Sequence, residues 1–316
     1  PPFIAGALSY SSDLPRSYNA LNVAAYTNDG QEAKGFEAAV TELERARRHG
    51  FTKGELERAK ASMLSNFENL YKQKDKISND DWAAQARDHF LTGEPIPSMD
   101  VQYNYYKEIL PKITVEEVTS RLRELAADDN RFISIQGPAD KEHMTEAEAM
   151  AIIEKVASAD IKPYEDITGG TDLISEELKG AEIVKTVPLP QFGATEWTLA
   201  NGARVVFRHA DYEKDNVTVN GYAFGGSSFY PDSLEPALNL FPQVISMYGA
   251  GEYDNVALTK MLAGKKASVS LGIQETMQTV TGSSTPKDFE TMMQLLYLRF
   301  ARPNFNREAY NAIIGR

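Results

Sequence analysis

The sequence predicts an α+β protein built as two units, each with strands and long helices. Three observations carry that expectation. Strand and helix periodicities occur on both sides of residues 158–192. That stretch itself is acidic, holds Pro163, Pro188, Pro190 and a Gly169-Gly170 pair, and keeps no sustained period, as linkers do. And 316 residues suffice for about two domains of ordinary size. The expected organisation is a unit over 1–157, a linker over 158–192 and a second unit over 193–316. At about 35 residues the middle stretch is too long for a connection inside one domain.

The elements follow in order. "PPFIAGALSY" and "SYNALNVAAY" read as short strands separated by the polar "SSDLPR". Phe36, Val40, Leu43 and Arg47 then fall at helical spacing, with Gly50 as the stop. Thr52-Lys53-Gly54-Glu55 is a capping box, in which Thr and Glu each satisfy a free N–H at a helix start. The long helix it opens carries Leu56, Ala59, Met63, Phe67 and Leu70 as one apolar stripe. A helix around "DWAAQARDHFL" ends at Gly93, and "GEPIPS" breaks the chain. Residues 99–128 give two more helices, the second opened by Thr114 and Glu117. "RFISIQG" (131–137) reads as a strand, and Thr145 with Glu148 caps a helix whose stripe is Ala149, Ile152, Ile153 and Val156.

Beyond residue 192, "WTLANGARVVFRH" (197–209) alternates like a hairpin folded at Asn201-Gly202, a pair suited to a type I′ turn. "NVTVNGYAF" is another strand. A helix over 234–248 carries Leu234, Leu238, Phe241, Ile245 and Tyr248 despite Pro242, and a short helix precedes Gly264. "KASVSLGI" and "MQTVTGSS" are alternating strands. Thr285-Pro286-Lys287-Asp288 starts a final helix with Phe289, Met292, Met293, Leu296 and Phe300 expected to be buried.

Composition narrows the function. Apolar residues at 42% and charged residues at 25% are those of a globular chain, and no apolar run reaches the roughly 18–20 residues of a membrane span. A net charge of −12 argues against nucleic acid, whose phosphates need a basic surface. Without cysteine there is no thiol nucleophile, disulfide or Cys-based metal site. The chain starts without Met and ends inside a helical pattern, so it is expected to be an internal portion of a larger protein.

Chemistry-bearing motifs are incomplete. His49, His89, His143 and His209 include no pair at metal-ligand helical spacing. His143-Met144-Thr145-Glu146 begins an inverted zinc pattern H-x-x-E-H, but Ala147 stands at its fifth position. A P-loop ending at "AGKK" would need glycine at Thr259, and "FGGSSF" would need glycine at Phe229 to be a nucleophile elbow. Tyr103, Tyr105 and Tyr106 suit the edge of a core better than an aromatic ligand site. No catalytic, metal or substrate-binding residue can be assigned in this chain from these patterns.

Two stretches taken together carry a resemblance. "HGFTKGELERAKA" (49–61) and "WTLANGARVVF" (197–207) resemble the pitrilysin/insulinase family of zinc metallopeptidases, of the inverted-zincin type. "GGSSFYPD" (225–232), "LAGKKASVSLGI" (262–273) and "SSTPKDFETMMQLLYLRFARP" (283–303) fit the same order. The resemblance implies a mixed α/β sandwich in each unit, mitochondrial-processing-peptidase-like, with a largely antiparallel sheet and helices on one face. It implies a long bacterial member with four related domains in two halves around a polypeptide substrate. Residues 1–157 would then be the C-terminal part of the second domain and 193–316 the N-terminal part of the third.

In that family zinc sits in the first domain, where the Glu of H-x-x-E-H acts as general base on zinc-bound water. The matching helix here reads "PALNLFPQVISMYG", and the His, Glu and His positions fall on Asn239, Pro242 and Gln243. The resemblance therefore implies a non-catalytic portion with no cofactor of its own and zinc in the parent's first domain. Its expected partners are the catalytic half of the same polypeptide and polypeptide substrates, with a dimer through exposed sheet edges as a further expectation. Export to a bacterial periplasm is the suspected location. A non-enzymatic member acting as an assembly or processing partner is the rival reading, and an unrelated two-domain α+β binding protein a weaker third.

Overall fold

The computed structural model describes residues 3–11, 19–166, 173–307 and 310–311. In the first unit, strands β1 (Ala5–Ser11) and β2 (Ala20–Tyr26) pair antiparallel with Leu8 opposite Val23. The "SSDLPR" break lies outside the described residues from residue 12 on. Helix α1 (Glu32–His49) packs on β2 and stops at Gly50, whose N–H still reaches Ala46 O at 2.9 Å. There follow α2 (Lys53–Lys72), α3 (Asn79–Thr92), α4 (Met99–Ile109), α5 (Val115–Leu125) and α6 (Glu146–Ser158). Reciprocal capping boxes open four of these: Thr52/Glu55, Ser78/Asp81, Thr114/Glu117 and Thr145/Glu148. Each fixes a helix start and contributes on the order of 1 kcal/mol.

Helix α1 lies between α5 and α6, burying Leu122, Ala149 and Val156, while Ile152 and Ile153 are half-buried as the α6 stripe requires. Arg48 at its C-terminal end donates to Ala157 O and Ala159 O, both at 2.7 Å, and Arg45 donates to Lys162 O. His49 Nε2 donates to Ile161 O at 2.6 Å. These side chains satisfy carbonyls at and just past the end of α6, so the opening part of the 158–192 stretch is fastened to α1. Its last part is ordered too. Leu173 sits in the core of the second unit, and Ile183–Leu189 form strand β3.

The second unit contains two three-stranded antiparallel sheets. One has the order β3-β4-β5, with β4 (Ala194–Leu199) and β5 (Arg204–Arg208). The other has the order β6-β9-β8, from β6 (Val217–Phe224), β8 (Ala267–Ile273) and β9 (Met277–Ser284). Between β6 and β8 come α7 (Glu235–Ser246), the short strand β7 (Gly249–Ala250) and α8 (Asn255–Met261). Helix α9 (Phe289–Ala301) follows β9 and leads to β10 (Pro303–Asn304), which pairs with β7. Both α7 and α9 pack on β8, and α9 also on β9, so the sheet is helix-backed on one face. Ala250, Leu258, Leu295 and Leu298 form the buried core with Leu173.

Four expectations are corrected. Residues 131–137 are not a strand, and Phe132 is 89% exposed. The alternation is present, but among the described residues no neighbouring strand pairs with it, and a lone strand leaves its backbone unsatisfied. The α2 stripe is not buried as a whole, since Met63 and Leu70 are 43% and 50% exposed. Its Phe67 instead stacks on Tyr106 at 3.6 Å between ring centroids. The buried face of α9 is Thr291, Met292, Leu295 and Leu298, whereas Phe289, Met293 and Phe300 are exposed. Two apolar rows coexist on that helix, and the sheet takes the one one residue out of phase with the expected row.

The fourth is the turn at Asn201-Gly202. The hairpin forms, but Trp197 pairs with Val205 where a two-residue turn would place Val206, and within the turn only Gly202 has positive φ, at 86°. Gly202 N–H donates to Leu199 O and Leu199 N–H to Ala203 O, which is a three-residue loop with a glycine bulge rather than a two-residue type I′ turn.

Candidate functional site

The two units meet along one polar face of α2. Arg58, Ser62 and Asn66 recur about every turn on that helix, and Lys72 follows in its last turn. Arg58 donates from both terminal nitrogens to the two carboxylate oxygens of Asp166, each at 3.0 Å. The same carboxylate accepts from Lys260 Nζ of α8 at 3.3 Å and lies 3.2 Å from the Thr52 hydroxyl. That hydroxyl has one proton to share between Asp166 and Glu55. Lys260 also donates to the Tyr164 hydroxyl at 2.6 Å and lies over its ring. Arg58 foremost, then Lys260, holds the Asp166 carboxyl below the usual range, and the Tyr164 hydroxyl together with Asp166 raises Lys260.

Further along α2, Ser62 Oγ accepts the Gly264 N–H at 3.1 Å, and Lys266 donates to Asn66 Oδ1. Lys72 pairs with Asp215 at 2.8 Å, and beyond the helix Asp75 pairs with Lys214 at 2.7 Å. Gly264 has φ of 78°, and a Cβ there would stand 2.7 Å from that of Ala61, so the loop after α8 approaches α2 as closely as glycine permits. A cleft of about 470 Å³ lies at the far end of this seam, lined by Asn69 of α2, by Gln73 just past it, and by Glu213, Asp215, Lys265, Lys266 and Ser283. Its charged groups already have partners, Glu213 with Asn216, Asp215 with Lys72, Lys266 with Asn66 and Lys265 with Thr291, and two acids face two lysines, so it presents no single sign of charge to a ligand.

The structure does not bring the sequence candidates together. His49 is spent on Ile161 O, and His89 Nδ1 faces Glu94 O at 2.5 Å. His143 lies between Glu32 Oε1 (3.3 Å) and Pro138 O (2.9 Å), and His209 is exposed at the end of β5. Among the described residues no three His, Asp or Glu side chains converge as a metal site. Asn239, Pro242 and Gln243 lie on the exposed side of α7 and offer neither an imidazole pair nor a carboxylate, so the donors on this helix do not fit zinc. Thr259 is within α8 and bonds Asn255 O, while Phe229 sits in an exposed turn. Tyr103 and Tyr106 stack on Tyr71 and Phe67 of α2, with Tyr105 exposed. No described helix is long and apolar enough to cross a membrane.

Sequence reasoning missed Asp166, Arg58 and Lys260, because one acid among seven in the 158–192 stretch has no distinguishing pattern. A signal did exist at Gly54. A glycine in the first turn of a well-capped helix costs stability relative to alanine, which asks for a packing reason.

No known protein-family profile matches the chain. It is 26% identical over 241 residues to a protein named zinc protease PQQL-like from Arabidopsis thaliana, covering 75% of this chain and 25% of the relative. It is 21% identical over 306 residues to a probable zinc protease PqqL of Escherichia coli, covering 96% of this chain and 33% of the relative. The chain thus spans a quarter to a third of the length of these relatives. Among solved structures, pitrilysin overlays 96% of this chain at a TM-score of 0.52 and 16% identity, using 32% of its own length. The ferredoxin protease FusC, an E83A mutant crystallised with Arabidopsis ferredoxin, overlays 98% at a TM-score of 0.52 and 16% identity, using 35% of its length.

Proposed function

We propose, for a chain homologous to the pitrilysin/insulinase-like zinc proteases, that it is a non-catalytic middle portion of a zinc-dependent endopeptidase. It forms part of the wall of a substrate chamber and the joint between the two halves. Hydrolysis of peptide bonds in polypeptides belongs to the whole protein, with zinc and its ligands supplied outside this chain. The observation that carries the reading is the pairing of homology to zinc proteases with a helix, α7, whose matching positions hold Asn239, Pro242 and Gln243.

The polar seam along α2 supports the joint. Interfaces between domains that move are more polar than cores, and here hydrogen bonds and ion pairs recur at nearly every turn. The helix-backed sheet β6-β9-β8 supports the wall, since α7 and α9 cover one face. The other carries Thr218, Asn220, Thr281 and Ser283, whose hydroxyls and amide can meet a polypeptide backbone.

The test is to strip metal from the purified chain, equilibrate it with zinc and measure stoichiometry alongside peptide hydrolysis. Substoichiometric, weakly held zinc and no hydrolysis are expected. A tight one-to-one site, or hydrolysis that persists after repurification, overturns the reading.

A further inference from the structure

The side chain of Asp166 is only 9% exposed, yet it comes from neither regular unit. Its two oxygens take the Arg58 fork, the Lys260 ammonium and the Thr52 hydroxyl, so an element of each unit is tied to one carboxylate. Such a buried charge is tolerated only because every partner is in place. Directly beneath it is Gly54, in the first turn of α2. A Cβ at residue 54 would land on Asp166 Oδ2 and stand 3.1 Å from Arg58 Nη1. The absent side chain is what leaves room for the carboxylate, at a helix N-terminus where negative charge is favoured. Positions 54, 58, 62 and 66 then follow at four-residue spacing, and each meets Asp166 or the 264–266 loop of the second unit.

We infer that Asp166 is a positioning pin, seated in a glycine socket on α2, that sets how the second unit docks against the first. Lys260 engages the pin from α8, and the Gly264–Ser62 and Lys266–Asn66 contacts follow from that placement. The inference extends the joint reading, and its readouts involve neither zinc nor peptide hydrolysis, so either can fail without the other.

The socket gives a test in which two explanations differ in sign. If Gly54 is an ordinary helix residue, Gly54→Ala raises the melting temperature of the 316-residue chain, because alanine is the better helix former. If it is the socket, Gly54→Ala evicts the carboxylate. The melting temperature then falls, and amide exchange over 256–266 becomes roughly tenfold faster, as loss of charge-assisted hydrogen bonds implies. Exchange in β1 and β2, which supply no residue to the seam, stays unchanged. In an Asp166→Ala background the same glycine substitution becomes neutral or stabilising, the non-additivity expected of groups in contact. A rise in melting temperature for Gly54→Ala alone, or equal losses in both backgrounds, overturns the pin. Should Gly54→Ala fail to fold, Lys260→Met serves, since it removes only the second unit's grip. Unchanged exchange over 256–266 in that variant overturns the inference as well.

Discussion

In the 193–316 unit, Met292, Leu295 and Leu298 of α9 are buried against a sheet. In the 1–157 unit, α2, α3 and α4 contain no buried residue at all among those described. The second unit is held by apolar burial around a compact core that includes Ala250 and Leu258. The first has apolar burial at Leu122, Ala149 and Val156 around α1, and its α2–α4 part is held by capping boxes and by the aromatic stacks of Phe67 on Tyr106 and Tyr71 on Tyr103. Apolar burial is insensitive to direction, whereas hydrogen bonds and stacks specify an orientation. The proposed joint is better made from the second kind of contact.

The sharpest way to break this comparison is to truncate one apolar side chain on each side. Leu298 is 1% exposed, so Leu298→Ala should cost about 2–5 kcal/mol in denaturant unfolding. Met63, from the apolar stripe of α2, is 43% exposed, and Met63→Ala should stay within about 0.5 kcal/mol. Similar losses at both sites would mean that the α2–α4 part of the first unit is held by apolar burial as well.

A smaller effect probes the stacks. Phe67→Leu keeps an apolar group of similar reach but loses the stacked ring on Tyr106, and about 0.5–1.5 kcal/mol should go with it. No loss would assign the pairing to proximity alone. Smaller again is the cap of α6. Thr145→Ala removes the acceptor for Glu148 N–H and should cost about 1 kcal/mol, with Thr145→Ser close to neutral. A serine variant as damaged as the alanine one would point to the Thr methyl rather than the hydroxyl.

The sequence carried most of the elements but less of how they pack. Helix starts were legible because Thr52/Glu55, Thr114/Glu117 and Thr145/Glu148 are local rules acting over three residues. Strand 131–137 misled because alternation describes a side-chain pattern, whereas a strand exists only when another backbone completes its ladder. On α9 two interleaved apolar rows satisfied the same helical period, and the choice between them is made by the position of the sheet, including Gly282, which leaves room for Met292. The seam was hidden for the same reason. Asp166, Gly54 and Lys260 are far apart in sequence, and no local rule connects them.

The gentlest probe uses pH on His143, which ties the 138–143 loop to the start of α1. Its Nε2 faces Pro138 O at 2.9 Å and its Nδ1 faces Glu32 Oε1 at 3.3 Å. Only the imidazolium donates from both nitrogens, so the Pro138 carbonyl first and Glu32 second raise its pKa above the ordinary 6.5. A raised folded-state value means extra proton binding on folding, so this contribution is complete below 6.5 and is lost as pH rises through the folded value. Glu32 shifts the other way, lowered by its own backbone N–H and then by His143, so its share holds above 4.5 and disappears in acid. The pair therefore supports the first unit best between those limits. From about pH 5.5 to about pH 8 the melting temperature should fall slightly in the native chain and by less in His143→Gln. Equal slopes in both proteins would show that the loop and α1 are held without this contact, and that the polar ties of the first unit count for less than its stacks.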